Sequence, residues 1–281
     1  MAEQAQHSRW IHELTWDVIE RHLGDDDVVL IPIGATEQHG RHAPLLLDTG
    51  WAIAASEAAA ALAGCLIAPP LHYGWSYGHM AFPGTVGLTA ETLSRVAVEV
   101  GECLIRHGFR RVIYVNGNRM ANLAPLEIAA VRLRLETGAF VAVADCGLIA
   151  RVDIAALAEG PAGTLGHAGE SETALVLARY PHLTDMALAP PDRSEGSAHA
   201  GLREGHHTLD ARLEGNAWFV ARDPEEFRRQ TLARDGVVGD ARLATAEKGE
   251  AMVQAIGRRI ADGIQEARRR QVDVRIPPVR G

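Results

Sequence analysis

Apolar positions along the chain follow two alternating rhythms. Val28–Ile33 is a short unbroken apolar run, and 65–68, 111–115 and 140–144 are similar, the third opening on Arg111. Such runs, bounded by Gly, Pro or Asn, predict strands buried on both faces. Between them the period changes to that of a helix. In the segment that starts at Thr89, Leu93, Val96, Ala97, Val100 and Leu104 share one face, charged residues occupy the other, and Gly108 follows the end. Thr89 is the expected cap and Glu91 suits the first turn. Further helices are predicted over 15–22, 51–62 (alanine-rich), 123–136, 173–180 and 247–270, the last with Val253, Ile256, Ile260 and Ile264 on one face.

Alternating strands and helices predict an α/β fold: a mostly parallel sheet flanked by helices on both faces. No internal repeat or clean linker interrupts it, so residues 1–281 are expected to form a single domain. Residues 181–215, rich in Pro, Gly, His and charge, lack periodicity and are expected to run irregularly over the surface, with His206 and His207 solvated.

Composition narrows the partners. With 47% hydrophobic and 23% charged residues the chain is globular rather than disordered. A net charge of −8 without a basic block argues against nucleic acid and anionic membranes, and Arg268, Arg269 and Arg270 read as a solvated helix end. The three cysteines, Cys65, Cys103 and Cys146, lie in apolar stretches with no C-x-x-C spacing and are expected to be buried free thiols. The polar first ten residues do not read as a secretory signal, and no apolar run is long enough to span a bilayer; a cytoplasmic location is expected.

The chemistry is expected beyond the carboxyl ends of the strands, where open parallel sheets bind ligands. The first such loop carries Glu37, His39 and Asp48. Glu37 and His39 are two residues apart, a spacing that puts both on one side of an extended segment, and Asp48 returns across the intervening loop. Mixed imidazole and carboxylate donors suit zinc, manganese or iron, and a carboxylate can bridge two cations. A second cluster, 163–173, leads into a helix. There His167 is a candidate general acid or base and Glu172 a candidate site carboxylate, the alternative being a helix start that Glu170 and Glu172 favour through the dipole. Trp75, Tyr77, His79 and Phe82, after the second strand, either wall a pocket or pack beneath it. No G-x-G-x-x-G or Walker motif occurs, which argues against dinucleotide and P-loop chemistry.

The stretch Pro32-Ile-Gly-Ala-Thr-Glu-Gln-His-Gly-Arg-His-Ala-Pro-Leu-Leu-Leu-Asp48 resembles the metal-binding motif of the creatininase (creatinine amidohydrolase) family. Further stretches agree in order: 79–85, Asn116-Gly117, His167-Ala-Gly-Glu-Ser-Glu-Thr173, 236–240 and 244–249, so the resemblance spans about residues 12 to 265. It implies an α/β hydrolase, often hexameric, with one or two divalent cations (Zn, Mn or Fe), acting on C–N bonds of a small cyclic amide, lactam or formamide. It also implies Glu37, His39 and Asp48 as ligands with Asp48 bridging, Glu172 as a ligand or supporting carboxylate, and His167 as acid or base. The family reads Asn-Gly-His after the third strand, and that histidine binds metal. Here Asn118 takes its place, a neutral amide and a weaker ligand, so one cation position is expected to be weak, differently filled or empty. Arg119 is either a surface residue or a fork for a substrate carboxylate or phosphate. The altered segment leaves a lactonase, a sugar-acid isomerase and a non-catalytic relative as alternatives.

Overall fold

The computed structural model describes residues 8–190, 210–213, 221 and 223–279; His206 and His207 lie outside them. Four parallel strands, β1 (Val28–Ile33), β2 (Leu66–Ile67), β3 (Arg111–Asn116) and β4 (Phe140–Asp145), stand in the order β2-β1-β3-β4. The helices are α1 (Trp16–Leu23), α2 (Leu47–Ala63), α3 (Ala90–Arg106), α4 (Arg119–Thr137), α5 (Cys146–Ile149), α6 (Arg151–Leu157), α7 (Glu170–Arg179), α8 (Pro224–Thr231) and α9 (Ala246–Arg268).

All six residues of β1 are buried because both its faces are covered. Val28 and Leu30 pack with α2, α7 and α9, while Val29, Ile31 and Ile33 pack with α3 and α4. Each such side chain contributes about 1.5–3 kcal/mol of burial. Pro32 is tolerated inside this central strand for a positional reason. Its carbonyl, and so its missing N–H, faces the β2 side, where β2 has already ended and Leu71 N–H supplies the remaining bond at 2.9 Å.

Helix α3 starts as expected, Thr89 Oγ1 accepting from Thr92 N–H at 3.2 Å. Helix α2 begins earlier than expected, at Leu47, so Asp48 lies in its first turn rather than in a loop. Two expectations fail. Cys103 is exposed, unlike the buried Cys65 and Cys146, though all three thiols are free. The basic end of α9 is also not simply solvated: Arg268 forks onto Asp26 at 3.0 and 2.8 Å and donates to the Ala63 carbonyl. No helix among the described residues is long and apolar enough to cross a membrane.

Candidate metal centre

The strand order reverses between β1 and β3, and the site sits at the carboxyl ends of these two strands and β4, as the switch-point rule requires. Two glycines let the pieces converge. A Cβ on Gly34, after β1, would collide with the backbone of Thr49, and one on Gly117, after β3, with the carbonyl of Asp48. Without those side chains the first turn of α2 lies directly on the sheet edge and delivers Asp48. The first turn of α7 delivers Glu172, and the turn before that helix delivers His167. It contains Ala168 in the left-handed region (φ 53°), a strained conformation held by Ala168 N–H donating to Glu172 Oε2 (2.6 Å) and Thr173 Oγ1–H donating to the Ala168 carbonyl (3.0 Å). His42 braces the same turn, its Nε2 lying 2.9 Å from Thr173 Oγ1, and burial lowers its pKa to about 4.

His39 is the hub. Its ring is fully buried, and Nδ1 lies 3.1 Å from the Glu37 carbonyl, a contact that places a ring proton on Nδ1 and, in the neutral ring, leaves the Nε2 lone pair facing the site. Asp48 Oδ1 lies 3.3 Å and Glu172 Oε2 3.6 Å from Nε2, yet Nε2 makes no hydrogen bond. Glu37, His39 and His167 present donor atoms within 4.8 Å of one another. His167 Nε2 lies 2.6 Å from the Gln38 carbonyl and 2.9 Å from the Gln38 side-chain nitrogen; the shorter contact, to an oxygen that can only accept, favours the proton on Nε2 and turns the Nδ1 lone pair inward, 3.9 Å from Glu37 Oε1 and 4.0 Å from Glu172 Oε2. His79 Nε2 is 3.4 Å from Glu37 Oε1.

The field at this point is negative. Burial opposes a charge on His39, but Asp48, and behind it Glu172 and Glu37, outweigh burial and raise its pKa to about 10. A place that draws a proton so strongly also draws a cation. Ligand atoms sharing one ion at about 2.0–2.2 Å lie roughly 3–4 Å apart, the spacing found around His39. A fully buried imidazole nitrogen without a hydrogen bond, ringed by carboxylates, therefore fits a divalent cation.

Asn118 stands beside this centre but turns its oxygen away. Oδ1 caps α4, accepting from Ala121 N–H at 2.9 Å, and Nδ2 donates to Asp48 Oδ2 at 2.8 Å. Arg119, the next residue, lines a cavity of about 210 Å³ together with Glu37, Asp48, His167 and Glu172. Trp75 faces a small adjoining cleft that touches Glu37 and Asn118, and its ring packs against Tyr77 at 4.6 Å.

Several contributors escaped sequence reasoning. Gln38, between Glu37 and His39, reaches His79 Nδ1 (3.0 Å), while its Oε1 accepts from Gly40 N–H. Asp145, at the end of β4, accepts from Asn116 Nδ2 (2.8 Å), and burial raises its pKa to about 6. Phe227, from the unanticipated helix α8, walls the cavity and meets His79 edge-on at 5.0 Å. The strand-end rule pointed to Asp145, and Asp223-Pro224 is a visible helix start for α8; nothing local marked Gln38.

The creatinine amidohydrolase family model matches residues 12–264, and the chain belongs to the creatininase family. It is a metal-dependent hydrolase of that family. Creatinine amidohydrolase of Pseudomonas putida is 29% identical, over 92% of this chain and 97% of the relative. The 3-dehydro-scyllo-inosose hydrolase of Thermotoga maritima is 30% identical, over 88% and 79%. A solved creatininase structure superposes with a TM-score of 0.72 at 28% identity, covering 94% of this chain and all of that one. Others are described as a Zn-Zn type (TM-score 0.69, 31% identity) and as creatininase Mn (0.70, 29%).

Proposed function

We propose that the protein hydrolyses a C–N bond in a small cyclic amide, lactam or formamide. The observation that carries this reading is the convergence of Asp48 and Glu172 on the unbonded Nε2 of His39, with a Glu37 donor atom within 4.8 Å of the His39 ring's, beside a cavity of small-molecule size. When bound, a divalent cation (zinc, manganese or iron) acidifies a water molecule toward neutral pH and polarises a carbonyl. His39, Asp48, Glu37 and Glu172 hold it. His167, its Nε2 proton pinned by the Gln38 carbonyl, accepts a proton at Nδ1 from the attacking water and passes it to the leaving nitrogen. His79, buried and near Glu37, orients that carboxylate, and Phe227 and Trp75 exclude water. Arg119 reaches the cavity as a fork for an acid group on the substrate.

The relatives are named for unlike substrates, creatinine, 3-dehydro-scyllo-inosose and a precursor peptide, so the family alone does not name the substrate. Exposed Ile128, Val131 and Leu135, on one face of α4, support assembly into a homo-oligomer. Assaying zinc- and manganese-loaded protein on panels of cyclic amides, lactams, formamides and lactones tests the reaction. Turnover of an amide that chelation abolishes is expected. Turnover confined to lactones, or full activity in metal-free protein, would overturn it.

A further inference from the structure

We infer that this chain holds a single cation, because Asn118 fills the second position of the centre with a hydrogen-bond donor. The inference rests on the metal-dependent reading above and concerns how many ions the residues can take. A carboxylate that bridges two cations gives one oxygen to each. Here Asp48 divides its oxygens differently. Oδ1 faces His39 Nε2 at 3.3 Å, but Oδ2 accepts a hydrogen bond from Asn118 Nδ2 at 2.8 Å. The N–H dipole puts its positive end where a second ion would sit, and an amide nitrogen has no lone pair to offer that ion.

The amide cannot simply turn round. Its Oδ1 is committed to Ala121 N–H at 2.9 Å, one of the unpaired donors at the start of α4. Rotating it by 180° would set the NH2 group against that N–H and the oxygen against the Asp48 carboxylate, so both contacts would become repulsive. Both partners hold the donor orientation, and the residue is itself buried. Beyond Asn118 in the chain, Met120 offers the cavity only a thioether, a poor match for a hard or borderline cation, and His167 Nδ1 lies about 4 Å from Glu37 and Glu172, where the reading above gives it the proton-transfer role. Asn118 is thus a positioning residue: it holds Asp48 as a one-oxygen ligand and supplies locally the positive end that a second ion would bring.

Elemental analysis of chelated protein reloaded by dialysis against zinc or manganese chloride tests this without any assay of turnover. One ion per chain is expected for the wild type, and an isolated rather than exchange-coupled manganese signal by electron paramagnetic resonance. Asn118→His, which restores an imidazole, is expected to bind two. Asn118→Asp, which keeps an oxygen for the helix cap but loses the donor, is expected to take a second manganese ion more weakly and guards against misfolding of the first variant. Two ions in the wild type, or one ion in both variants when circular dichroism shows them folded, would overturn the inference while leaving the metal reading intact. No ion in the wild type would instead remove the metal reading and this inference with it.

Discussion

Buried charge collects at both ends of the sheet, and the two collections differ in kind. At the amino end Arg111, the first residue of β3, donates through Nη1 to both oxygens of Asp27 at 2.6 Å and through Nε and Nη2 to the carbonyls of Ala267, Arg268 and Arg270. Beside it Arg268 pairs with Asp26. Cation meets anion, the Nε and Nη donors of Arg111 and Arg268 find carboxylate or carbonyl acceptors, and the result ties the end of α9 to the sheet; His22 Nε2, 3.8 Å from Asp26 and without a hydrogen bond, is held toward its neutral form by burial. At the carboxyl end Glu37, Asp48 and Glu172 face imidazoles instead, His39 Nε2 lacks a hydrogen bond, and the His39 pKa is driven to about 10. A charge-balanced cluster of arginines and carboxylates is read as structure. A net-negative one beside a cavity, with carboxylates facing a fully buried imidazole, is read as a place prepared for a positive ligand.

The comparison breaks most sharply under mutation. Replacing His39 with Ala is expected to lower kcat/KM by about 10³-fold or more, the loss of roughly 4 kcal/mol of transition-state stabilisation, while the fold survives. Steady-state kinetics beside a thermal melt would check it, and a variant that keeps wild-type turnover contradicts the role given to the carboxyl-end cluster. Arg111→Met should show the reverse pattern. Leaving Asp27 without its partner is expected to cost roughly 3 kcal/mol of stability, at the low end for a buried pair because Asp27 is partly exposed, with turnover per folded molecule unchanged. Urea unfolding together with active-site titration distinguishes the two.

A smaller effect sharpens the boundary between the ends. Asp145 lies at the site end yet is bonded like a structural group, to Asn116 and to Leu148 N–H. Its folded pKa of about 6 stands above the usual value of 3.8, so its protonated form is favoured by folding. That stabilisation is full below pH 3.8 and is lost as pH rises through 6. Asp145→Asn removes the titration but keeps only one of the two accepted bonds, since its NH2 group takes the place of an oxygen that accepts from Asn116 or Leu148, a loss that does not vary with pH. Its stability relative to the wild type is therefore expected to rise by about 1–2 kcal/mol between pH 5 and pH 8. A gap that stays constant across that range would mean the carboxyl ionises normally.

Legibility in the sequence followed how local each cause is. Strand β1 was readable to the residue, because a run apolar at every position has few other uses. The start of α4 was placed four residues late, since the cap is Asn118, a residue whose other role, holding Asp48, lies 70 positions away in the chain. Helix α2 has no side-chain cap, so its first turn, with Asp48 in it, read as loop. Glu37, His39, His167 and Glu172 stood out as metal-type residues at strand and helix ends and by their resemblance to a family motif. Gln38 and Phe227 enter the site only through tertiary contacts, and Cys103, expected to be buried, lies on the outer side of α3.

The central claim is that the carboxyl-end cluster binds a cation through His39. Anomalous diffraction at the zinc absorption edge, from crystals of zinc-loaded protein, addresses it directly. A peak about 2.0–2.1 Å from His39 Nε2 and within reach of Asp48 is the predicted result. A map with no peak there, and Asp48 and Glu172 turned away from the imidazole, would contradict it.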